Sequence, residues 1–241
     1  SRLLKETYKG APWVKNISRP YTVSHGLAGN HIALWQSHGR YYRSDRNDWY
    51  WQRPRLFCTT EDLFSQTFVI PYIIPMLQNA GAVVFTPRER DYQTHEVIVD
   101  NDQPNRNGTY IESFRRKQKS LKWKTTPKPG FAQYKEIYES CDSPFVDGTA
   151  RYVPTTPSPK DEGIAQWVPN IPEEGRYAVY VTYQSYENSI NDATYTVYHK
   201  GGMTEFHVNQ QMGGGIWVYL GTFDFDAGEH DYGMEVKSAE I

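Results

Sequence analysis

The second half of the chain consists of short β-type runs separated by glycine-rich turns, and this pattern limits the possible folds more than any other feature. The turns include Lys200-Gly201-Gly202, Met212-Gly213-Gly214-Gly215 and Asp226-Ala227-Gly228. The runs predicted to be strands are 165–168, 177–183, 193–199, 204–208, 217–225 and 232–237. Short strands at near-regular spacing, joined by turns of this kind, predict an all-β sandwich or jelly roll.

The first half has a different pattern, in which a strand is followed by a helix and a second strand. The apolar runs 31–35 and 82–86 are short enough to be buried strands. The longer apolar stretch between them, 63–80, predicts a helix that ends at Gly81, a glycine in the C′ position. This order predicts a βαβ unit with two parallel strands.

The connecting helix has a recognisable start and an expected irregularity. A threonine of Thr59-Thr60 can cap the free N–H groups, and Glu61-Asp62 place acidic side chains where the helix dipole favours them. Pro71 and Pro75 lack an N–H donor and clash one turn back, so the sequence predicts a kink or restart near Ile70.

The change of pattern predicts two modules in an α+β chain. Thr125-Thr126-Pro127-Lys128-Pro129-Gly130 has the composition of a linker. The predicted modules are a partial α/β domain with parallel strands, residues 1–128, and an all-β sandwich or jelly roll, residues 129–241.

The stretch 40–58 is aromatic and basic, and no strand or helix is predicted within it. A loop this long in a compact domain is usually functional or disordered. Aromatic residues commonly fill β-sheets, but their faces can also stack on sugar rings. Trp49, Tyr50 and Trp51 are therefore candidates for lining a substrate cleft.

In the second module, some aromatic residues are predicted to be exposed for sugar binding and others to be buried in the core. Tyr183 and Tyr186 lie at a strand end and in the following loop, so they are predicted to be exposed and to bind sugar. Trp217 and Phe223 lie an even number of residues apart on one apolar run. That spacing places them on the same face of a regular strand, which predicts that both are buried in the core.

Composition excludes several classes of protein. A net charge of -2 argues against a nucleic-acid or anionic-membrane partner held by bulk charge. No apolar run approaches the roughly 20 residues of a membrane span. The start, Ser1-Arg2-Leu3-Leu4-Lys5, has neither an initiator Met nor an apolar signal core, as expected of a processed chain whose export signal has been removed.

Residues 26–42, GLAGNHIALWQSHGRYY, and 51–91, WQRPRLFCTTEDLFSQTFVIPYIIPMLQNAGAVVFTPRERD, carry a family resemblance. They resemble the catalytic part of secreted bacterial proteins often labelled xanthan lyase. That part is similar to zinc-dependent N-acetylmuramoyl-L-alanine amidases, in which a strand ends in His-Gly and a Glu opens the next helix. The counterparts in this sequence are His38-Gly39 and Glu61.

The resemblance implies a zinc ion bound by His38 and Glu61. It assigns no catalytic residue, because the third ligand and the catalytic Glu are expected on later strands that this sequence does not contain. A hydrolytic zinc site needs about three protein ligands and an open position for water. The alternative interpretation makes His38 a turn residue and Glu61 an acid that stabilises the helix start.

A second resemblance covers Phe131 to Ile241, which is similar to the golvesin C-terminal-like module also found in xanthan lyases. The segments that carry it are 165–167, 175–180, 193–197, 208–211 and 217–223. This module implies a carbohydrate-binding-like β-sandwich.

Three functions follow from these resemblances. The first is a zinc-dependent, amidase-like hydrolase of peptidoglycan, and the second is a non-catalytic carbohydrate-binding protein. The third is polysaccharide lyase chemistry, for which the sequence shows no specific arrangement of residues. All three imply a glycan or peptidoglycan partner and a secreted, periplasmic or cell-surface location.

Overall fold

The computed structural model describes residues 8–88, 90–102, 107–116, 121–139, 141–230 and 233–238. Within these ranges the chain forms two compact units. The first unit contains residues 8–10 and Tyr21–Arg90, and the second contains Ala11–Pro20 and the described residues from Asp91 onward. Among the helices of these ranges, none combines the length and the apolar character that a membrane span requires.

The elements are numbered in chain order. The strands are β1 (Val14–Asn16), β2 (His31–Ala33), β3 (Arg40–Arg43), β4 (Asp48–Trp51), β5 (Arg55–Leu56), β6 (Thr59–Thr60), β7 (Val83–Phe85), β8 (Gly108–Phe114), β9 (Lys124–Thr125), β10 (Arg151–Tyr152), β11 (Gly163–Ile171), β12 (Gly175–Val181), β13 (Ala193–His199), β14 (Gly202–Val208), β15 (Val218–Phe225), β16 (Gly228–Glu229) and β17 (Gly233–Lys237). The helices are α1 (Glu61–Phe68) and α2 (Ile74–Asn79), joined by a π-helical turn, Val69–Ile73, and a 3-10 turn covers Pro144–Val146.

The first unit contains the predicted strand, helix and strand. β2 and β7 pair in parallel, with Ile32 opposite Val84, and the helical segment connects them. The buried side chains of Ile74, Ala82 and Val84 form the core, and further apolar residues pack against it: Leu27, Ile32, Leu34, Val69 and Leu77.

The helical segment starts where the sequence predicts and is interrupted by a π-helical turn. Thr60 caps α1, because its hydroxyl accepts a hydrogen bond from the backbone N–H of Leu63 at 3.4 Å. The π-helical turn that contains Pro71 separates α1 from α2, which confirms the irregularity expected near Ile70. Gly81 follows α2 with φ +100°, a conformation that favours glycine.

The stretch predicted as a long loop forms two antiparallel hairpins. β3 pairs with β4, and β5 pairs with β6. The prediction of a loop was wrong because most side chains of β3 and β4 are exposed on both faces. Such strands lack the alternation of apolar and polar residues that identifies a half-buried strand.

The second unit is built on a large antiparallel sheet. Its strand order is β1-β14-β13-β17-β11-β16, and β8 also pairs with β11. β12 and β15 form a separate antiparallel pair. All six predicted strands are present as β11 to β15 and β17, although residue 232, the predicted start of the last one, lies outside the described residues.

Both sets of strands contribute to one apolar core. The buried apolar side chains of this core come from β11 to β15: Ile171, Tyr177, Val181, Ala193, Tyr195, Val197, Phe206, Val208, Val218, Leu220 and Phe225. A core shared by two antiparallel layers is the arrangement expected of a β-sandwich.

The compact units divide at a different place from the predicted boundary at residues 128/129. The division falls between Arg90 and Asp91, and Ala11–Pro20 belongs to the second unit. The reason is backbone pairing: β8 pairs with β11 from Gly108 to Phe114, and β1 pairs with β14. The predicted linker is also held in the second unit, since β9 pairs with β10.

The prediction that Trp217 is a core residue was wrong. Trp217 precedes β15 and is 39% exposed, with its ring packed on Phe131 at 4.8 Å. Phe223 is partly buried and packs against the core. A β-bulge where β15 passes Val179 and Tyr180 breaks the regular alternation, so the even spacing of the two residues no longer places them on one face.

Candidate functional site

A buried carboxylate lies at the base of the β3–β4 hairpin. Asp62, in the first turn of α1, has a fully buried side chain. One of its oxygens accepts hydrogen bonds from the Ser37 hydroxyl at 2.7 Å and the Gly39 backbone N–H at 3.0 Å. The other accepts from the backbone N–H of Arg53 at 3.3 Å. Because Gly39 precedes β3 and Arg53 follows β4, Asp62 ties together the two ends of the hairpin.

These donors also decide the charge state of Asp62. Burial alone would favour the protonated form, but the hydrogen bonds and the neighbouring His38 together outweigh it. The pKa of Asp62 therefore lies below its ordinary value, and the carboxylate is ionised at neutral pH.

His38, the predicted metal ligand, lies beside Asp62. Its Nδ1 is 3.7 Å from a carboxylate oxygen of Asp62 and is buried without a hydrogen-bond partner. Its Nε2 is 3.2 Å from the guanidinium of Arg53, and its backbone carbonyl accepts from Arg88. A guanidinium only donates, so Nε2 is the acceptor and a neutral His38 carries its proton on Nδ1.

The described residues do not fit the zinc ion that the resemblance implies. The carboxylate beside His38 belongs to Asp62, whereas the next residue back, Glu61, is exposed. Both oxygens of Asp62 are already occupied by donors, and the Nε2 lone pair faces Arg53. Within the part of the chain that the structure describes, no three His, Cys, Asp or Glu side chains come together as a metal requires.

The β3–β4 hairpin presents one face composed of aromatic rings and a guanidinium. Side chains alternate along a strand, and Arg40 lies opposite Trp51 while Tyr42 lies opposite Trp49. These four residues therefore share one side, here called the aromatic face: Arg40, Tyr42, Trp49 and Trp51.

The aromatic face combines exposure with fixed geometry. Trp49 is 58% exposed and Tyr42 is 36% exposed, and their rings meet edge to face with centroids 5.5 Å apart. The Arg40 guanidinium lies 4.7 Å from the ring centroid of half-buried Trp51. The Tyr42 hydroxyl donates to Asn47 in the hairpin turn, which fixes its ring. Exposed, oriented rings of this kind can stack on the apolar face of a sugar.

Tyr50, the third predicted cleft residue, lies on the opposite side of the hairpin. It faces Tyr41 across the strand pair. The guanidinium groups of Arg43 and Arg46 lie 5.3 Å and 5.8 Å from its ring. The structure therefore brings Trp49 and Trp51 together and separates Tyr50 from them.

Tyr183, predicted to be exposed for sugar binding, instead packs against the core of the second unit. Its hydroxyl accepts a hydrogen bond from the Trp13 indole at 2.8 Å and donates to the Met212 carbonyl at 2.9 Å. Burial raises its pKa to about 12. Its hydroxyl is used internally because Trp13, the residue before β1, contacts it, and a contact between such distant residues leaves no signal in the local sequence.

Tyr186 is only partly exposed. The Lys128 ammonium lies 4.8 Å from its ring centroid, and its hydroxyl accepts from the Lys128 backbone N–H at 3.3 Å. One approach to the ring is therefore already occupied by a cation.

Two residues of the site were missed in the sequence. By its residue type and position alone, Asp62 is an acid in the first turn of the helix, as Glu61 is. Consecutive helix residues point about 100° apart, however, so one acid can be exposed while the next is buried. Arg40 gives no signal in the sequence, because the side of the hairpin on which it lies depends on pairing with β4.

Comparison with known families confirms the nature of the second unit. Residues 143–237 match the family model of the golvesin C-terminal domain. They contain strands β10 to β17. The match agrees with the resemblance seen in the sequence, and it stops short of β1, β8 and β9.

Two relatives are xanthan lyases. Over 62 residues, which are 26% of this chain, the sequence is 37% identical to a xanthan lyase of Bacillus sp. (strain GL1), and the match spans 7% of that protein. The solved structure of a Paenibacillus xanthan lyase matches 54% of this chain and 11% of its own, with a TM-score of 0.35 and 21% identity. The amidase-like resemblance of the first half stays a prediction.

Proposed function

We propose that this chain is a polysaccharide-binding part of a secreted, periplasmic or cell-surface protein. The golvesin-type second unit supports a carbohydrate-related function. The partial similarity to an enzyme named for xanthan supports a polysaccharide partner. Since the match spans 7% of that enzyme, the proposal concerns binding by this chain rather than the activity of a whole protein.

The aromatic face carries this proposal. Two tryptophans on one side of a hairpin present flat apolar surface to solvent, and Trp49 is 58% exposed. Adjacent exposed rings form a contiguous apolar surface, a feature that commonly marks a binding site, and a bound pyranose would cover it. The buried Asp62 holds both ends of the hairpin, so the rings are oriented before a ligand arrives.

Substitution of Trp49 tests the proposal. Calorimetric titration of the full chain with a panel of polysaccharides, including xanthan and peptidoglycan fragments, should identify at least one ligand. Trp49→Ala should weaken its binding about tenfold or more, as is common for a central tryptophan. Trp35 is the matched control, an indole of similar exposure (63%) in the same unit but outside the hairpin. Trp35→Ala should change the affinity less than threefold.

Two results would contradict the proposal. One is that no polysaccharide of the panel binds the wild-type chain. The other is that the Trp49 and Trp35 variants lose affinity equally, which would mean that the hairpin has no special role.

The zinc-dependent hydrolase remains a hypothesis that rests on the resemblance of His38 and Glu61 alone. The surroundings of His38 do not favour it, since Arg53 faces Nε2 and donors occupy Asp62. The lyase alternative is supported by the name of the relative, and no arrangement of side chains among the described residues adds to that support.

A further inference from the structure

We propose that the aromatic face binds a carboxylate-bearing glycan and that Arg40 selects the carboxylate. This inference rests on the proposed function and adds the charge of the ligand and the residue that recognises it.

Positive charge is concentrated in the hairpin region. The segment from Arg40 to Arg55 contains five arginines and two aspartates, in a chain whose net charge is -2. A local excess of this kind attracts anions, although the chain as a whole does not. The hairpin is therefore the region that favours an acidic over a neutral polysaccharide.

Most of these arginines already have partners. Arg43 forms two hydrogen bonds with Asp45, at 3.1 Å and 2.7 Å. Arg46 lies 3.9 Å from the same carboxylate, and Arg53 faces His38. Within the described residues, Arg40 has no carboxylate partner, and it is the arginine that lies on the aromatic face.

The position of Arg40 suits recognition of a carboxylate. Its guanidinium lies over Trp51, which restrains the group without using its N–H donors. The free N–H groups form a fork that matches a carboxylate with two parallel hydrogen bonds. Trp49, about 7 Å further along the same face of β4, offers the surface on which the sugar ring can stack.

The experiment compares two ligands and two variants of the full chain. The ligands are oligogalacturonate and its methyl ester, which share a backbone and differ in charge. Arg40→Gln removes the guanidinium from the aromatic face. Arg43→Gln is the matched control, because it removes one positive charge from the opposite face of the same hairpin. Thermal melts verify that each variant stays folded, and calorimetry measures the affinities.

The proposal predicts three results. The wild-type chain binds the acid more tightly than the ester, and raising the salt concentration weakens only binding of the acid. Arg40→Gln lowers affinity for the acid about tenfold, as expected when a charged hydrogen-bonding pair is lost. Arg43→Gln changes it less than threefold, and neither variant alters binding of the ester.

Other outcomes separate this inference from the proposed function. Equal binding of acid and ester, with loss of both in Trp49→Ala, would overturn the selection of a carboxylate and leave glycan binding intact. Equal losses in the Arg40 and Arg43 variants would show that bulk charge rather than Arg40 is responsible. Failure of both ligands, together with failure of every glycan in the wider panel, would overturn the proposed function itself.

Discussion

Asp100, in the second unit, is a carboxyl group whose protonation depends strongly on the fold. Burial and, to a smaller extent, the neighbouring carboxylate of Asp102 raise its pKa to about 6. The backbone N–H of Asp102 donates to it at 2.9 Å and offsets part of that increase. At neutral pH the folded chain therefore holds an ionised carboxyl group in buried surroundings that disfavour its charge.

This arrangement predicts a pH-dependent stability. Because the folded pKa lies above the ordinary value, the folded state binds the proton more tightly than the unfolded state does. The resulting stabilisation is complete below about pH 4 and is lost as the pH rises through about 6. When the full chain is unfolded in urea, Asp100 should therefore contribute less to the free energy of unfolding at pH 7.5 than at pH 5.

Asp100→Asn should remove this part of the pH dependence, so that stability changes less between pH 5 and 7.5 than in the wild type. Glu187→Gln, which removes an exposed carboxylate of the same unit, should keep the wild-type slope. If the slope is the same in the Asp100 variant as in the wild type, another group titrates in this range.

Predictions for single residues succeeded where the structure depends only on residues close by in the sequence. The cap at Thr60 follows from residue types that the sequence shows directly. The difference between Glu61 and Asp62 does not, because it depends on which side of α1 meets the hairpin base. The burial expected of Trp217 failed for a similar reason, since a bulge in a strand pair is a property of two segments.

At the scale of elements, the β3–β4 hairpin depends on Asp62 for its position. Asp62→Asn replaces one of the two accepting carboxylate oxygens with an NH2 group, which donates. At least one of the three hydrogen bonds that Asp62 accepts is therefore lost, and the group is buried. The free energy of unfolding should fall by about 1–3 kcal/mol. Affinity for the glycan should fall as well, because the aromatic face loses its support.

The adjacent acid provides the control. Glu61→Gln changes an exposed side chain in the same helical turn and should cost less than about 0.5 kcal/mol. Denaturant unfolding, followed by tryptophan fluorescence, measures both variants. Equal effects at the two positions would mean that Asp62 acts only through the helix dipole.

Element prediction worked best in the second unit. β11 to β15 are seven to nine residues long, contain many β-branched and aromatic residues, and are separated by turns that contain glycine. The hairpins between residues 40 and 60 were missed, because exposed short strands carry no alternating pattern. β1 was missed because three residues, Val14–Asn16, become a strand only by pairing with β14.

At the scale of the whole molecule, the second unit is discontinuous in sequence. Ala11–Pro20 adds β1 to its sheet, and the residues of the first unit follow before the chain returns at Asp91. The backbone N–H of Asn209 donates to the Trp13 carbonyl at 2.8 Å, so the segment Ala11–Pro20 is also hydrogen-bonded to the residue that follows β14. A boundary placed by composition could not detect this, because a pairing between distant segments leaves no local mark.

Binding of a polysaccharide through the aromatic face should protect the backbone of the β3–β4 hairpin. Hydrogen–deuterium exchange of the full chain, measured with and without saturating polysaccharide, locates the protected segment. Exchange should slow in peptides that span β3 and β4, from Arg40 to Trp51, and should change little at the exposed surface of α1. Slower exchange confined to other segments, or no change anywhere despite measured binding, would contradict binding through the aromatic face.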